Sequence, residues 1–170
     1  MNTNIKIQHK EGFFTAFEGQ KLYEQWWFPS GISKATIVIV HGYAEHSGRY
    51  EHVANYFGNH GCTVGTFDLR AHGKSEGKNT IIRSFDHFLE DLDIFLSRAR
   101  EQAGGIPLFL LGHSMGAGIV TKYAITHQPK VNGLLLSGVT AKIGDDIHPF
   151  MIKLVEVLGA ILPKMPTIKL

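Results

Sequence analysis

The sequence predicts an α/β fold, with a doubly wound, mostly parallel β-sheet covered by helices on both faces. Short apolar runs alternate with segments of helical periodicity along most of the 170 residues, and this alternation is typical of such sheets. One run, residues 36–40 (TIVIV), is β-branched throughout, as expected of a strand buried at the centre of a parallel sheet. With 44% hydrophobic and 19% charged residues, the composition excludes a disordered chain.

The first part of the chain predicts a hairpin and then a strand–helix unit. Residues 12–28 are rich in aromatic side chains and are interrupted at residues 18–20, which is typical of two strands joined by a turn. After the strand at residues 36–40, residues 47–60 predict a helix. The apolar residues on one face of this helix follow its period, and they are Tyr50, Val53, Ala54 and Phe57.

The middle of the chain predicts a strand, a loop and a long helix. Residues 62–67 predict the strand, which opens with the chain's single cysteine, Cys62; we interpret this residue as a small core side chain. The polar, glycine-containing residues 68–78 predict a loop. Residues 84–100 predict a helix capped by Ser84. The predicted buried stripe of that helix consists of Phe85, Phe88, Leu89, Leu92, Leu96 and Ala99.

The last part of the chain predicts two more buried strands around a helix. Residues 107–111 (PLFLL) and 131–136 (VNGLLL) are the strands, and residues 115–126 are the helix between them. After Ser137 the alternation stops, and residues 149–163 predict an amphipathic helix of their own. The main sheet is therefore expected to be built before residue 140.

Charge and composition exclude several classes of function. The chain has 17 Lys+Arg and 15 Asp+Glu residues, without a basic cluster, so we expect no nucleic-acid partner. One cysteine excludes a disulfide framework. Residues 1–8 are polar, and residues 150–162 contain Lys153 and Glu156, so neither segment predicts a signal peptide or a membrane span. A soluble, cytoplasmic protein is expected.

Residues 112–116 (GHSMG) carry the pattern that predicts chemistry. A Gly-x-Ser-x-Gly sequence between a buried strand and a helix is the setting of a nucleophile elbow, whereas without that context it would be an ordinary turn. Ser114, at the tip, is expected to have a strained backbone. Gly112 and Gly116 remove side chains that would collide with the strand and the helix. The amide of Met115 then points to where an oxyanion would form.

Two further features support an elbow at this position. The small residues Ala117 and Gly118 predict a close approach of the following helix to the sheet. The strand at residues 36–40 ends in residues 41–43 (HGY), so its loop leaves the same edge of the sheet as the serine. A loop in that place supplies the second backbone N–H of an oxyanion hole.

Three segments together resemble a known family. Residues 41–50 (HGYAEHSGRY) resemble the HGxxEHxxRY segment of the monoacylglycerol lipase and lysophospholipase group of α/β-hydrolases, which is also filed under serine aminopeptidase S33. Residues 68–75 (DLRAHGKS) resemble its D-x-R-G-H-G-x-S loop, with Ala71 where the family usually has glycine, and a modest backbone cost is expected there. Residues 112–116 resemble its GHSMG elbow, and the three segments occur in the family's order and spacing.

The resemblance implies an α/β-hydrolase fold and ester cleavage by Ser114, with the amides of Tyr43 and Met115 as oxyanion donors. It also implies a small acyl-ester or lipid substrate, such as a monoacylglycerol or lysophospholipid, with no cofactor and no obligate partner. Residues 1–140 are then the N-terminal part of the hydrolase core, lacking its last strands. Residues 141–170 begin a helical cap that would contact a lipid surface transiently, although a helix that simply packs on the core fits equally well.

A serine nucleophile needs a base, because its hydroxyl alone reacts poorly at neutral pH. By the resemblance, the acid and the histidine of the triad follow later strands, so we expect both to lie outside this chain, which we interpret as truncated at its C-terminus. An acid and a histidine close together on one loop rarely reach both of their partners. The residues weighed as substitutes are Asp145, Asp146, Glu156, His127 and His148.

The remaining histidines predict no metal site. His41 and His46 flank Glu45, but they stand five residues apart across a glycine. Zinc ligands of this kind lie four apart on one face of a helix. His113 is expected to point away from the nucleophile, and His72 to form a hydrogen bond within its loop.

Two interpretations of function stay open from the sequence. In the first, the chain is part of a serine hydrolase of carboxylic esters, whose base and acid come from beyond Leu170 or from another chain. In the second, it is a catalytically incomplete fragment that binds acyl compounds or partners without turnover. An aminopeptidase or another esterase is a third alternative, because a fold does not fix its substrate.

Overall fold

The structure is a computed structural model that describes residues 6–77, 82 and 84–139. Its helices are α1 (Glu51–Asn59), α2 (Asp86–Ala103) and α3 (Met115–His127). Its strands are β1 (Ile7–Thr15), β2 (Lys21–Pro29), β3 (Ala35–Val40), β4 (Cys62–Phe67), β5 (Leu108–His113) and β6 (Gly133–Ser137).

The strands form one mixed sheet in the order β1-β2-β4-β3-β5-β6. The β1–β2 hairpin is antiparallel, with Phe13 opposite Tyr23, and β2 also pairs antiparallel with β4. The neighbours β4–β3, β3–β5 and β5–β6 are all parallel. The predicted hairpin and the predicted mostly parallel sheet are therefore confirmed.

Successive side chains of β3 enter cores on opposite faces of the sheet, as the pleat of a strand requires. Ile37 and Ile39 pack in the same cluster as Ala54 of α1. Val38 and Val40 pack in a larger cluster with side chains from α2 and α3. Both faces of the central strand are thus covered by helices, which is the doubly wound arrangement predicted from its continuous apolar sequence.

Most of the predicted stripe of α2 is buried, and Ser84 helps to begin the helix. The hydroxyl of Ser84 accepts a hydrogen bond of 3.1 Å from the amide of Asp86. The prediction was wrong for Phe85, which precedes the helix and is 39% exposed, with its ring between Phe88 and the ammonium of Lys122. It also missed Phe95, which is fully buried. The buried members of the predicted stripe are Phe88, Leu89, Leu92, Leu96 and Ala99.

The last strand was predicted to be buried and to have one unpaired edge in this chain. The burial is wrong, and the unpaired edge is observed in the described sheet. Leu134, Leu135 and Leu136 are each 40–44% exposed, because β6 lies at the edge of the described sheet and pairs there only with β5.

Cys62 is partly buried against the cluster that contains Ala54 of α1. Burial raises the pKa of its thiol, as suits a core side chain. The predicted cap, residues 141–170, lies outside the described residues, so the division at residue 140 stays a prediction.

No helix in the described ranges combines the length and the apolar character that a membrane crossing needs.

Candidate active site

Ser114 lies at the junction where β5 ends and α3 begins, and its backbone is strained. Its φ of 52° and ψ of −117° place a non-glycine residue at positive φ, a conformation that persists only where surrounding contacts enforce it. Those contacts include the hydrogen bond from the Ser114 amide to the carbonyl of Ser137 at 2.9 Å. The amide of Ala117 donates to the Ser114 carbonyl at 3.0 Å. The strand–turn–helix setting predicted for the elbow is confirmed.

Two of the glycines at this junction have no room for a side chain. A β-carbon on Gly116 would lie 2.2 Å from the carbonyl oxygen of Val40, and one on Gly112 would lie 2.7 Å from the Cα of Ala117. The close approach of α3 to the sheet predicted from Ala117 is confirmed. The same prediction for Gly118 was wrong, because Gly118 faces solvent and a β-carbon there would meet no atom within 4 Å.

The loop after β3 lies directly against the nucleophile. A β-carbon on Gly42 would be 3.1 Å from the β-carbon of Ser114. The next amide in the loop is that of Tyr43, and the first amide of α3 is that of Met115. Within the described part of the chain, neither amide donates a hydrogen bond to another group, so both N–H groups are free to donate.

The carboxylate of Glu45 stabilises this loop by hydrogen bonds. Its Oε1 accepts hydrogen bonds from the amide of Gly42 at 2.5 Å and from the hydroxyl of Tyr50 at 2.8 Å. Burial, the largest single influence, favours the neutral acid, but these two hydrogen bonds together with the neighbouring rings of His41 and His113 hold the pKa of Glu45 below its ordinary value. From the sequence, Glu45 belongs to the segment that resembles HGxxEHxxRY and lies between two histidines, but no contact was predicted for it. Its spacing of three residues from Gly42 is the signal that could have identified this contact.

His41 is fully buried and connects two loops. Its Nδ1 lies 2.7 Å from the carbonyl oxygen of Gly42, and its Nε2 accepts a hydrogen bond from the amide of Leu69 at 2.9 Å. Burial lowers the pKa of His41 to about 4, so the ring is neutral at physiological pH. The sequence offers no local signal for this role, because Leu69 lies in a different loop.

The second loop, residues 68–75, supports the first through Asp68. One carboxylate oxygen of Asp68 accepts a hydrogen bond from the amide of Ser47, and the other accepts one from the amide of Lys74, both at 2.7 Å. Ala71 has a φ of 64°, a left-handed conformation that costs roughly 1–2 kcal/mol for a residue with a β-carbon. This is the backbone cost expected where the family usually has glycine.

A buried ion pair fastens this second loop to α2. The guanidinium of Arg70 donates to both carboxylate oxygens of Asp91, at 2.7 and 2.8 Å. The amide of Phe17, in the turn between β1 and β2, also donates to Asp91 at 3.1 Å. Both charged side chains are buried, so each depends on the other for its electrostatic stabilisation.

No histidine in the described ranges is hydrogen-bonded to the Ser114 hydroxyl. His113 lies 3.2 Å from the hydroxyl of Ser137 instead. His127 lies at the opposite end of α3, about 20 Å along the helix axis from Ser114 at 1.5 Å per residue. It cannot therefore serve as the base. The other substitutes weighed from the sequence, Asp145, Asp146, Glu156 and His148, lie outside the described residues.

The expectation for His72 is confirmed, since its Nδ1 donates to the carbonyl of Arg70 at 2.9 Å. His41, Glu45 and His46 do not form a metal centre: in the part of the chain that the structure describes, no three His, Cys, Asp or Glu side chains are grouped to hold an ion.

The family is shown by comparison with known proteins. The family profile described as "Serine aminopeptidase, S33" matches residues 31–169. The chain belongs to this family. Among curated proteins, a monoacylglycerol lipase of Mycolicibacterium smegmatis is 35% identical over 162 residues, covering 95% of this S33-family chain and 58% of the relative. The monoglyceride lipase of Homo sapiens is 33% identical over 149 residues, covering 87% of this chain and 49% of the lipase.

Solved structures give the same result for the fold. A thermostable carboxyl esterase from Bacillus coagulans, in complex with glycerol, superposes with a TM-score of 0.77 at 28% identity, covering 92% of this chain and 51% of the esterase. The monoacylglycerol lipase of Paleococcus ferrophilus superposes with a TM-score of 0.67 at 34% identity, covering 84% and 52%. The chain is a monoacylglycerol lipase-like α/β-hydrolase, as the three sequence segments implied. It spans about half the length of the relatives it matches.

Proposed function

We propose that this chain carries the nucleophile and the oxyanion hole of a serine hydrolase that cleaves carboxylic esters. The observation that carries the proposal is the backbone of Ser114, held at positive φ on a strand–helix junction with Gly42 against its side chain. Such strain is retained where it presents a reactive group. Because Gly42 has no side chain, a substrate oxygen has room to lie where the unpaired amides of Tyr43 and Met115 can both donate to it.

In the proposed reaction, the Ser114 oxygen bonds to the acyl carbon while the carbonyl electrons move onto oxygen. The amides of Tyr43 and Met115 donate to that oxyanion, and the N-terminus of α3 adds favourable potential. The proton of Ser114 passes to a base and then to the departing alcohol. Water repeats the attack on the acyl-enzyme and releases the carboxylic acid.

The base and its acid partner are proposed to lie beyond Leu170 or on another chain. Two observations support this: no described histidine is hydrogen-bonded to Ser114, and the matched segments cover only 58% and 49% of the two relatives. The competing proposal is that the 170-residue chain is an incomplete fragment that binds acyl compounds without turnover.

The proposed substrate is a monoacylglycerol or a lysophospholipid. Support comes from the names of the relatives, since several are monoacylglycerol or monoglyceride lipases. The amphipathic sequence at residues 150–162 would suit transient contact with a lipid surface. The family's description as a serine aminopeptidase favours one alternative, peptide cleavage, because the same elbow and oxyanion hole serve amide bonds.

Covalent labelling tests the role of Ser114. A fluorophosphonate probe is added to the purified 170-residue chain and to a chain extended by any coding sequence that follows Leu170, and the modified residue is identified by mass. We expect Ser114 to be labelled in the extended chain and not in the Ser114→Ala control. Labelling of the 170-residue chain alone would contradict the proposed position of the base. A folded extended chain that stays unlabelled would overturn the serine hydrolase proposal.

A substrate panel then separates the candidate activities. The form of the protein that the fluorophosphonate probe labels is incubated with a monoacylglycerol, a lysophospholipid and an aminoacyl anilide at equal concentration. We expect turnover of an ester and none of the anilide. Preferential anilide cleavage would favour the aminopeptidase alternative.

A further inference from the structure

The contact between His41 and Gly42 acts on the peptide group that carries the Tyr43 amide. The carbonyl of Gly42 and the N–H of Tyr43 belong to one peptide unit, which is planar, with its C=O and N–H pointing in opposite directions. The Nδ1 of His41 lies 2.7 Å from that carbonyl oxygen. A donor on the carbonyl therefore fixes the direction of the N–H, and it also polarises the amide and strengthens it as a donor.

We propose that His41 is the positioning residue of the oxyanion hole: its Nδ1–H holds the Gly42 carbonyl and thereby aims the Tyr43 amide. The proposal rests on the proposed function, because the Tyr43 amide matters only if an oxyanion forms beside Ser114. His41 itself does not reach the substrate, since its side chain is fully buried.

The position of the proton on His41 is set from the second loop. The amide of Leu69 can only donate, and it points at Nε2 from 2.9 Å. Nε2 must therefore carry a lone pair, and in a neutral ring the proton then lies on Nδ1. This is the tautomer that can donate to Gly42. The residue before Leu69 is Asp68, whose carboxylate holds the amide of Ser47, so the same loop fixes both the tautomer and the far end of the Gly42 loop.

The surroundings of His41 keep this tautomer neutral. Burial lowers the pKa of His41 to about 4, against the opposing influence of the Gly42 carbonyl and of the carboxylates of Asp68 and Glu45. The neighbouring ring of His72, 5.3 Å away between centroids, also disfavours a positive charge on His41. Both nitrogens of His41 have hydrogen-bond partners, so the ring cannot turn over without losing both bonds.

The tautomer is measured directly, without activity. Long-range ¹H–¹⁵N correlation spectra of the uniformly ¹⁵N-labelled chain distinguish the protonated nitrogen of each imidazole from the other. We expect the His41 signals to show protonation at Nδ1 and a lone pair at Nε2. Protonation at Nε2 would overturn the proposal, whatever the protein catalyses.

Two variants of similar size separate the two bonds of His41. In His41→Asn, the amide nitrogen takes the place of Nδ1 and can still donate to Gly42. In His41→Gln, the longer side chain offers Leu69 an acceptor and leaves Gly42 without its donor. The carbonyl ¹³C shift of Gly42 is therefore expected to stay near its wild-type value in His41→Asn and to move in His41→Gln. Equal shifts in the two variants would overturn the proposal.

Reactivity is expected to follow the same order. Removal of one oxyanion donor slows an enzyme about 10²–10³-fold. In the form of the protein that the probe labels, a misdirected donor should therefore cause a smaller loss of rate. We expect labelling of Ser114 to slow less than about tenfold in His41→Asn and about ten- to a hundredfold in His41→Gln. The loss should appear in kcat and not in KM, because the donor acts on the transition state. Equal losses in both variants would contradict the positioning role.

Different results would overturn the serine hydrolase proposal and the positioning role of His41. A wild-type protein that is never labelled overturns the proposed function and, with it, the catalytic consequence of positioning. The spectra still show in that case whether His41 orients the peptide. A protein that is labelled but has the other tautomer of His41 retains the proposed function and overturns this inference alone.

Discussion

The carbonyl oxygen of Val40 lies 2.2 Å from the point that a β-carbon on Gly116 would occupy. The first turn of α3 therefore rests on the last residue of β3, and the helix that follows the nucleophile touches the strand that leads to the Gly42 loop.

Substitution of Gly116 by alanine is expected to disrupt the elbow. The new methyl group would meet backbone atoms, which cannot rotate away as a side chain could. Overpacking of this kind costs typically 1–3 kcal/mol of unfolding free energy, and we expect at least about 2 kcal/mol for Gly116→Ala. Urea denaturation followed by circular dichroism measures the loss.

Gly118→Ala provides the matched control, two residues further along α3. A β-carbon there meets nothing within 4 Å, so the usual gain of alanine over glycine inside a helix, about 0.5–1 kcal/mol, should appear as added stability. Equal destabilisation by both substitutions would show that a general disturbance of α3, and not the contact with Val40, determines the result.

Replacement of Ala71 by glycine is expected to stabilise the protein. Ala71 has a φ of 64°, where a β-carbon costs roughly 1–2 kcal/mol, and glycine regains this at the expense of about 0.5–1 kcal/mol of backbone entropy. A net gain of about 0.5–1 kcal/mol in unfolding free energy follows. The control is Ala124→Gly in α3, which should lose about 1 kcal/mol. A loss of stability in Ala71→Gly would contradict the left-handed conformation.

The sequence was sufficient for those parts of the fold that depend on local pattern. In the described part of the chain, the apolar patterns predicted three helices and six strands close to where they lie, although β1 begins at Ile7, five residues before the predicted hairpin. The spacing of Gly112, Ser114 and Gly116 predicted the elbow, because an elbow is built within five consecutive residues. The exposure of Gly118 could not be read in the same way. Which side of α3 faces the sheet depends on the packing of the helix as a whole.

Contacts between distant segments were beyond the reach of the sequence analysis. The role inferred for His41 depends on Leu69, 28 residues away, and neither residue is unusual in its own segment. The exposure of Leu134 similarly depends on which strands lie beside β6 and not on the apolar sequence of β6 itself. Burial is a property of the neighbours, so an apolar run predicts a strand more securely than it predicts what covers it.

Ionised Glu45 is expected to stabilise the protein only above the acidic range. Its pKa in the folded protein is lowered by the donors Gly42 and Tyr50, so its contribution is present above the unfolded-state pKa near 4.5 and disappears as pH falls through the folded-state pKa. We expect Glu45→Gln to cost about 1 kcal/mol at pH 7, the difference between charged and neutral hydrogen bonds, and less at lower pH. Denaturation curves at pH 7 and pH 4 check this.

The hydroxyl of Tyr50 gives the control for that prediction. Tyr50→Phe removes one of the two donors to Glu45, so Glu45→Gln should cost less at pH 7 in the Tyr50→Phe background than in the wild type. If the two costs are equal, the hydrogen bond from Tyr50 does not contribute to the lowered pKa.

Loss of the Asp91 charge is expected to be among the most damaging single changes. Asp91→Asn would remove the bidentate counter-ion of the buried Arg70 guanidinium and leave only the half-exposed carboxylate of Glu18, 4.0 Å away. Breaking a buried pair from one side costs about 3–5 kcal/mol of unfolding free energy. The matched control is Asp86→Asn, which removes an exposed ion pair with Lys122 and should have a much smaller effect. Similar losses in both variants would contradict the difference in burial. Urea denaturation of the two variants in parallel makes the comparison.

The buried ring of His41 is expected to make stability fall as the solution becomes mildly acidic. Its folded-state pKa is about 4, against an ordinary value of 6.5, so between these values the unfolded chain binds a proton that the folded chain does not. Stability then decreases with falling pH, by up to about 1.4 kcal/mol per pH unit. His41→Asn has no such proton to bind, so its denaturation midpoint should change less than that of the wild type between pH 7 and pH 5. Because Glu45 and the other carboxylates are the same in both proteins, parallel pH profiles would contradict the lowered pKa of His41 in the folded chain.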